Sequence, residues 1–147
     1  MDAGSRAYGA ARPRLKAAAA SVLLTFGLAG SVAAAETTLL ALGDSLTHGY
    51  GLAEEDGFVP QLEAWLQARG HDVKVINAGV SGDTTRGGLS RLEWSLSEEV
   101  DAVIVELGGN DLLRGIDPAS SKANLDAILT ALGERDLPSL LTGLPAP

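Results

Sequence analysis

The fold of this chain is decided by residues 39–47, which read Leu-Leu-Ala-Leu-Gly-Asp-Ser-Leu-Thr. An apolar run of strand length ends there in Gly43, Asp44 and Ser45. In an open α/β sheet, the carboxyl end of a buried strand is where ligands bind. Ser45 is therefore the candidate nucleophile. A serine hydroxyl attacks a carbonyl carbon only when a base takes its proton and hydrogen-bond donors receive the charge that forms on the substrate oxygen.

Apolar segments of strand length alternate with segments of helical periodicity along the chain. Strands are predicted at 38–42, 73–76, 102–107 and 137–142, and helices at 59–69, 84–96 and 121–132. Continuous apolar strands separated by helices indicate a parallel sheet with both faces covered. The predicted fold class is thus α/β, a doubly wound parallel sheet with about four strands. Right-handed crossovers place the loops 43–51, 77–85 and 108–115 along one rim of this sheet.

The second and third of these loops carry residues that suit the needs of Ser45. Gly79 lies in 77–84, Asn-Ala-Gly-Val-Ser-Gly-Asp-Thr, and a glycine lets the backbone approach a ligand and present its amide hydrogen. Asn110 follows two glycines in the third loop, and its side-chain amide donates hydrogen bonds without carrying a charge. Each loop alone is also typical of an ordinary polar turn. Their convergence with Ser45 on one rim favours a binding or catalytic site.

Three blocks of the sequence resemble the GDSL or SGNH hydrolases, most closely their exported bacterial arylesterase, acyl-CoA thioesterase and lysophospholipase branch. The blocks are 43–51, 77–82 and 108–111. The resemblance implies a flavodoxin-like parallel sheet, the SGNH hydrolase fold, which has five strands in that family. It also implies that Ser45 is the nucleophile, supported by Asp44. The backbone amides of Ser45 and Gly79 and the side chain of Asn110 would form the oxyanion hole. The implied substrate is a small-molecule acyl ester or thioester, and we expect no metal and no other cofactor.

The catalytic base that this family uses has no counterpart in the sequence. The family supplies it from an Asp-x-x-His block near the carboxyl terminus, and the 147 residues contain no such pair. His48, three residues after Ser45, is an alternative base if both lie on a helical turn, but no third group is evident to hold its ring. His71 is expected to face solvent. We therefore expect a truncated or frameshifted copy that is inactive alone.

Residues 1–35 are not expected to belong to the folded domain. Four basic residues precede the uncharged run 17–35, which ends in Ala33-Ala34-Ala35, the small residues that a signal peptidase needs. We expect a signal peptide at 1–35, cleaved after Ala35, then a hydrolase domain at 36–147 that is incomplete at its carboxyl terminus, in a periplasmic or secreted protein. An uncleaved anchor is the alternative, because 19 uncharged residues approach the roughly 20 that span a bilayer.

The charge of the chain limits its partners. Removing Asp2 and the four basic residues of the leader from 19 acidic and 11 basic residues leaves 18 and 7, a net charge of −11. Such a surface repels nucleic acid phosphates and anionic lipids, so we expect no nucleic acid and no stable membrane partner after cleavage of the leader. The chain has no cysteine, which excludes disulfides and thiolate metal sites.

Two alternatives to an esterase remain open at this point. Asp44 and Asp111 follow the first and third predicted strands, an arrangement that also holds magnesium in receiver-like domains. A non-catalytic module that binds an acyl chain is the other. Outside the three loops, Trp65 and Trp94 are expected to pack on the sheet. Arg86 and Arg91 could meet an anionic substrate group, but ion pairs at the surface are expected for both.

Overall fold

Four parallel strands form one sheet in a computed structural model, which describes residues 36–143. The signal peptide predicted at 1–35 lies outside the described residues, as do residues 144–147. The spatial order is β2-β1-β3-β4, and each neighbouring pair is parallel. The strands are β1 (Thr37–Gly43), β2 (Val73–Gly79), β3 (Ala102–Glu106) and β4 (Ser139–Leu141). The prediction of an α/β fold with four parallel strands is confirmed.

The three long helices lie where the periodicity predicts them. The helices are α1 (Ser45–His48), α2 (Phe58–Gln67), α3 (Thr85–Ser95), α4 (Gly109–Leu113) and α5 (Pro118–Gly133), with a 3-10 turn at Glu54–Asp56. Helix α5 begins three residues before its predicted start, because Asp117 caps it by accepting from the Ala119 amide and Pro118 fits the first turn. The short helices α1 and α4 occupy loops in which no helix was predicted.

Strand β1 lies at the centre of the sheet and packs on both faces. Leu40 and Leu42 are fully buried on one side against Leu92 of α3 and Ile128 of α5. Ala41 packs on the other side against α2. Burial of a leucine side chain stabilises the fold by about 2 kcal/mol, so this strand holds the loop that follows it firmly in place.

The prediction that both tryptophans pack on the sheet is wrong. Trp94 is 87% exposed, and Trp65 is 52% exposed with the Arg69 guanidinium 3.5 Å from its ring centroid. Leucines on the same two helices cover the sheet in their place, namely Leu62, Leu66, Leu89 and Leu92.

Strand β4 forms one edge of the sheet. Its Leu140 and Leu141 remain 59% and 41% exposed. Among residues 36–143, no helix combines the length and the apolar composition that crossing a bilayer requires.

Candidate active site

Ser45 is the first residue of α1 and follows β1 after a single intervening residue, Asp44. The Asp44 carboxylate caps this helix, because Oδ1 accepts a hydrogen bond from the Leu46 amide at 3.0 Å. Ser45 is half-buried, and neither its backbone amide nor its Oγ makes a hydrogen bond within the described residues. Both groups are therefore available to a ligand at the rim of the sheet.

Asn110 lies beside this turn, as predicted for two residues on one rim. It belongs to α4, which follows β3 through Gly108 in a left-handed conformation at φ 118°. Its Nδ2 donates to Asp44 Oδ2 at 3.0 Å. A side-chain amide has two hydrogens on nitrogen, so the second remains free to donate to a substrate oxygen.

Gly79 ends β2 and is paired with Gly43 of β1. A Cβ at Gly79 would lie 2.2 Å from the backbone nitrogen of His48, so α1 can pack here only against a glycine. The Gly79 amide donates to Asn77 Oδ1 at 2.9 Å. Its assignment to an oxyanion hole stays a prediction, and a substrate oxygen would have to displace the Asn77 side chain to reach this amide.

Gly82 in the same loop presents an amide that donates no hydrogen bond among residues 36–143. The loop passes over the end of β1, since the Val80 amide donates to the Gly43 carbonyl at 3.0 Å. Beyond it, the Gly82 carbonyl accepts from Arg114 Nη2 at 2.7 Å, which places this glycine beside α4 and its C-terminal residues. Sequence reasoning passed over Gly82; its φ of 82° is the conformation that favours glycine there.

Arg91 of α3 ties the ends of β1 and β2 together. Its Nε donates to Asp83 Oδ2 at 2.7 Å, and its two terminal nitrogens donate to the carbonyls of Ala78 at 2.8 Å and Gly43 at 2.9 Å. The side chain is 16% exposed. The predicted ion pair of Arg91 exists, but its predicted place at the surface is wrong, because the guanidinium fork also donates to two carbonyls at the ends of strands. The pairing predicted for Arg86 is wrong, since this exposed residue forms no ion pair within the described residues.

Asp111 joins three helices from a buried position. Its Oδ2 accepts from the Thr85 amide at 2.8 Å, and its Oδ1 accepts from the hydroxyls of Thr85 at 2.6 Å and Ser121 at 2.8 Å. Burial alone would raise the pKa of Asp111, but these hydrogen bonds outweigh burial and hold the pKa below its ordinary 3.8. Both oxygens are thus engaged away from Asp44, and the described residues contain no cluster of three metal-ligating side chains. Asp44 and Asp111 are therefore not paired as the magnesium alternative requires.

Glu106, the last residue of β3, is a member of this site that sequence reasoning missed. Its Oε2 accepts from Thr47 Oγ1 at 3.0 Å and from the Asp44 amide at 3.4 Å. Burial raises the pKa of Glu106, and the nearby Asp44 carboxylate raises it further. In the sequence this residue reads only as the polar end of a strand, so no local signal marks it.

No base is in place for Ser45 in the part of the chain that the structure describes. His48 is exposed, and its ring makes no hydrogen bond to Ser45 or to any other described residue. His71 is exposed, as predicted. The site thus offers a hydroxyl and hydrogen-bond donors, while the group that activates the hydroxyl is not among residues 36–143.

Comparison with known proteins places this arrangement in a family. The model of the GDSL-like lipase/acylhydrolase family matches residues 41–147, and the chain belongs to that family. It is 44% identical over 115 residues to the esterase TesA of Pseudomonas aeruginosa, covering 78% of this chain and 57% of that protein. It is 39% identical over 127 residues to thioesterase 1/protease 1/lysophospholipase L1 of Escherichia coli K12, covering 86% and 57% respectively.

Solved structures agree with the fold. The structure of AlinE4, an SGNH-hydrolase family esterase, superposes with a TM-score of 0.73 at 47% identity, covering 76% of this chain and 61% of that one. The SGNH hydrolase fold is therefore confirmed for the described domain. The chain spans about 57% of the length of the curated relatives named here.

Proposed function

We propose that this chain carries the nucleophile of a carboxylic ester hydrolase that cleaves acyl esters or thioesters through an acyl-enzyme on Ser45. The observation that supports the proposal most is the hydrogen bond from Asn110 to Asp44, which holds an uncharged amide donor against the residue that precedes Ser45. Family membership supports the same reaction class.

The reaction follows from the groups at the rim. Ser45 Oγ attacks the acyl carbon while a base takes its proton, and the carbonyl oxygen becomes an oxyanion. The Ser45 amide and the free hydrogen of Asn110 Nδ2 donate to that oxygen, and removal of one such donor costs about 10²–10³ in turnover. Collapse of the adduct expels the alcohol or thiol, which takes the proton. Water then cleaves the acyl-serine to a carboxylic acid and restores Ser45.

A third donor comes from the loop after β2. Gly79 was the first candidate by resemblance, but its amide is bound to Asn77, whereas the Gly82 amide has no acceptor within the described residues. We therefore assign the third donor to Gly82. This assignment leaves Gly79 with the steric role of admitting α1.

The substrate class is suggested by a largely apolar groove that reaches the two glycines before Asn110. A cavity of about 600 Å³ opens next to α4, lined in part by Leu107, Gly108, Leu112, Leu125, Leu129 and Leu141. Apolar walls of this size suit an acyl chain. Aryl esters, acyl thioesters and lysophospholipids all present such a chain, whereas the net negative charge disfavours nucleic acid.

A non-catalytic acyl-binding module is the second candidate, because no base reaches Ser45 among the described residues. The 147-residue chain is accordingly expected to be inactive alone. Hydrolysis of p-nitrophenyl butyrate by the wild type, Ser45→Ala and His48→Ala tests the expected inactivity, whereas covalent labelling of Ser45 by a fluorophosphonate separates the two candidates. We expect wild-type rates equal to those of Ser45→Ala, since loss of the histidine of a serine triad can cost about 10⁶ in turnover. Rapid turnover abolished in Ser45→Ala would support the esterase and contradict the inactivity, and its loss in His48→Ala would identify the base.

We further propose that residues 1–35 direct export, with cleavage after Ala35 and a periplasmic or secreted product. The support is the pattern of basic, apolar and small residues in the leader. The amino-terminal sequence of protein recovered from periplasm and medium tests this proposal. A mature chain that begins at Glu36 is expected, and an intact leader in the membrane fraction would favour the anchor.

A further inference from the structure

Glu106 lies against the turn that presents Ser45. In the sheet, Glu106 of β3 is paired with Gly43 of β1, the residue that precedes this turn. The Glu106 Oε2 atom accepts from the Asp44 amide on one side of Ser45 and from the Thr47 hydroxyl on the other. One side-chain oxygen thus binds a backbone amide before the candidate nucleophile and a side-chain hydroxyl after it.

The packing around this contact leaves little freedom. Thr47 is 1% exposed, and a Cβ added at Gly43 would lie 1.9 Å from Thr47 Oγ1 and 2.9 Å from the Glu106 carbonyl oxygen. The turn, the hydroxyl and the end of β3 are therefore in direct contact, and a displaced Glu106 side chain would move Asp44 and Thr47 with it.

The second oxygen of Glu106 is buried without a partner. Oε1 has no hydrogen-bond donor within reach in the described residues. A buried carboxylate that lacks donors is far more costly than a neutral carboxylic acid. By contrast, both oxygens of Asp44 accept hydrogen bonds, from the Leu46 amide and from Asn110. Of these two neighbouring carboxyl groups, Asp44 is therefore the one whose charged form is stabilised by hydrogen-bond donors on both oxygens.

Among the charged groups on the neighbouring elements, Asp44 is the one whose charge affects Glu106. The side chain of His48 on α1 is exposed, and β4 carries no titratable residue. On α4, Asp111 is bound by hydroxyls from α3 and α5. On the β2 side, Arg91 forms an ion pair with Asp83. Burial first, and then the Asp44 carboxylate, raise the pKa of Glu106 above its ordinary 4.5, and the donors on Oε2 do not cancel this.

We propose that Glu106 is a positioning residue which, as a neutral carboxylic acid, holds the Asp44 amide and the Thr47 hydroxyl and so fixes Ser45 at the rim. The role does not depend on turnover by this chain, because it concerns the geometry of the turn. It predicts that a neutral isostere preserves the turn and that ionisation of Glu106 weakens the fold.

The first test is the urea midpoint of unfolding of the full chain between pH 4.5 and 8.5, for the wild type and Glu106→Gln. The unfolded chain releases the Glu106 proton near 4.5, whereas the folded chain releases it at higher pH. Unfolding therefore becomes easier as pH rises through this interval and levels off above the folded-state pKa. We expect the wild-type midpoint to fall relative to that of Glu106→Gln. Thr47→Val removes a hydrogen-bond donor that lowers the pKa of Glu106. In this variant we expect the urea midpoint to keep falling to higher pH than in the wild type. If the midpoints of the wild type and Glu106→Gln change with pH in parallel, the proposal that Glu106 is a neutral acid in the folded state is overturned.

The second test is amide hydrogen exchange at residues 44–48. We expect protection to be kept in Glu106→Gln and lost in both Glu106→Ala and Glu106→Met. Methionine fills similar space but has no acceptor oxygen, so its loss of protection excludes mere filling of space. If Glu106→Ala does not fold, Thr47→Val is measured in its place, and we expect its amide hydrogens in residues 44–48 to exchange faster than those of the wild type. Unchanged protection in whichever of these two variants is measured would overturn the positioning role.

Discussion

The Asn110 side-chain amide donates to Asp44 Oδ2 at 3.0 Å, which joins the turn after β1 to the helix after β3. These residues are 66 positions apart in the sequence. The bond is charge-assisted, because its acceptor is a carboxylate, and such bonds are about twice as strong as neutral ones. It therefore holds two loops of the rim together and orients the Asn110 side chain, which we propose as an oxyanion donor.

Replacement of Asn110 by alanine should destabilise the protein by about 2 kcal/mol, since a hydrogen bond to a charged acceptor is lost. Asn124→Ala is the matched control, because its Nδ2 donates to the neutral Thr85 hydroxyl at 3.0 Å and its loss should cost about 1 kcal/mol. Urea unfolding at pH 7 measures both. A cost for Asn110→Ala no larger than for the control would argue against a charge-assisted bond.

Asp111→Asn should destabilise the protein by about 2 kcal/mol at pH 7, because one amide oxygen cannot serve three donors. The pKa of Asp111 lies below 3.8 in the folded state, so its contribution is complete above the unfolded value and is lost as pH falls through the folded one. The wild type should therefore lose its greater stability relative to Asp111→Asn as the pH is lowered into the acid range. Asp126→Asn, in an exposed pair with Lys122, is the control and should have little effect. A stability difference between the wild type and Asp111→Asn that stays constant from pH 7 to pH 2.5 would contradict the lowered pKa of Asp111.

Arg91→Met should destabilise the protein by about 3 kcal/mol, because it leaves the Asp83 carboxylate without its charged partner and removes a donor from the Ala78 and Gly43 carbonyls, of which Gly43 keeps the Val80 amide. Arg86→Met, on the same helix, changes an exposed side chain that forms no ion pair within the described residues, and should stay within about 0.5 kcal/mol. Thermal unfolding of both variants provides the comparison. Equal effects would mean that the guanidinium contacts contribute nothing.

Gly79→Ala should destabilise the protein by about 2 kcal/mol, because the new methyl group would overlap the backbone of His48 and force α1 away. Gly133→Ala is the control, since it lies at the end of α5 with nothing within 4 Å of the added carbon. That substitution should stabilise the helix by about 0.5 kcal/mol. The two melting temperatures should move in opposite directions, and a shift of Gly79→Ala in the same direction as the control would show that α1 tolerates a side chain there.

The parts of the fold that follow from local pattern could be predicted from the sequence. Apolar runs such as that of β1 indicate buried parallel strands, and the loops after such strands share one rim, so Ser45 and Asn110 could be expected to meet. The roles of Glu106 and Arg91 could not be predicted, because their partners are backbone and side-chain groups distant in sequence. Trp94 was misplaced for a related reason. Its helix offers several apolar residues, and only packing decides which of them faces the sheet.

Labelling of the full chain by a fluorophosphonate, followed by intact mass measurement and peptide mapping, tests most directly whether Ser45 is the nucleophile. Added imidazole supplies the proton acceptor that residues 36–143 do not bring to Ser45. We expect one adduct, on Ser45, that forms faster as imidazole is raised, forms about 10²-fold more slowly in Asn110→Ala, and is absent in Ser45→Ala. An adduct on another residue, or labelling unchanged in Ser45→Ala, would contradict the account.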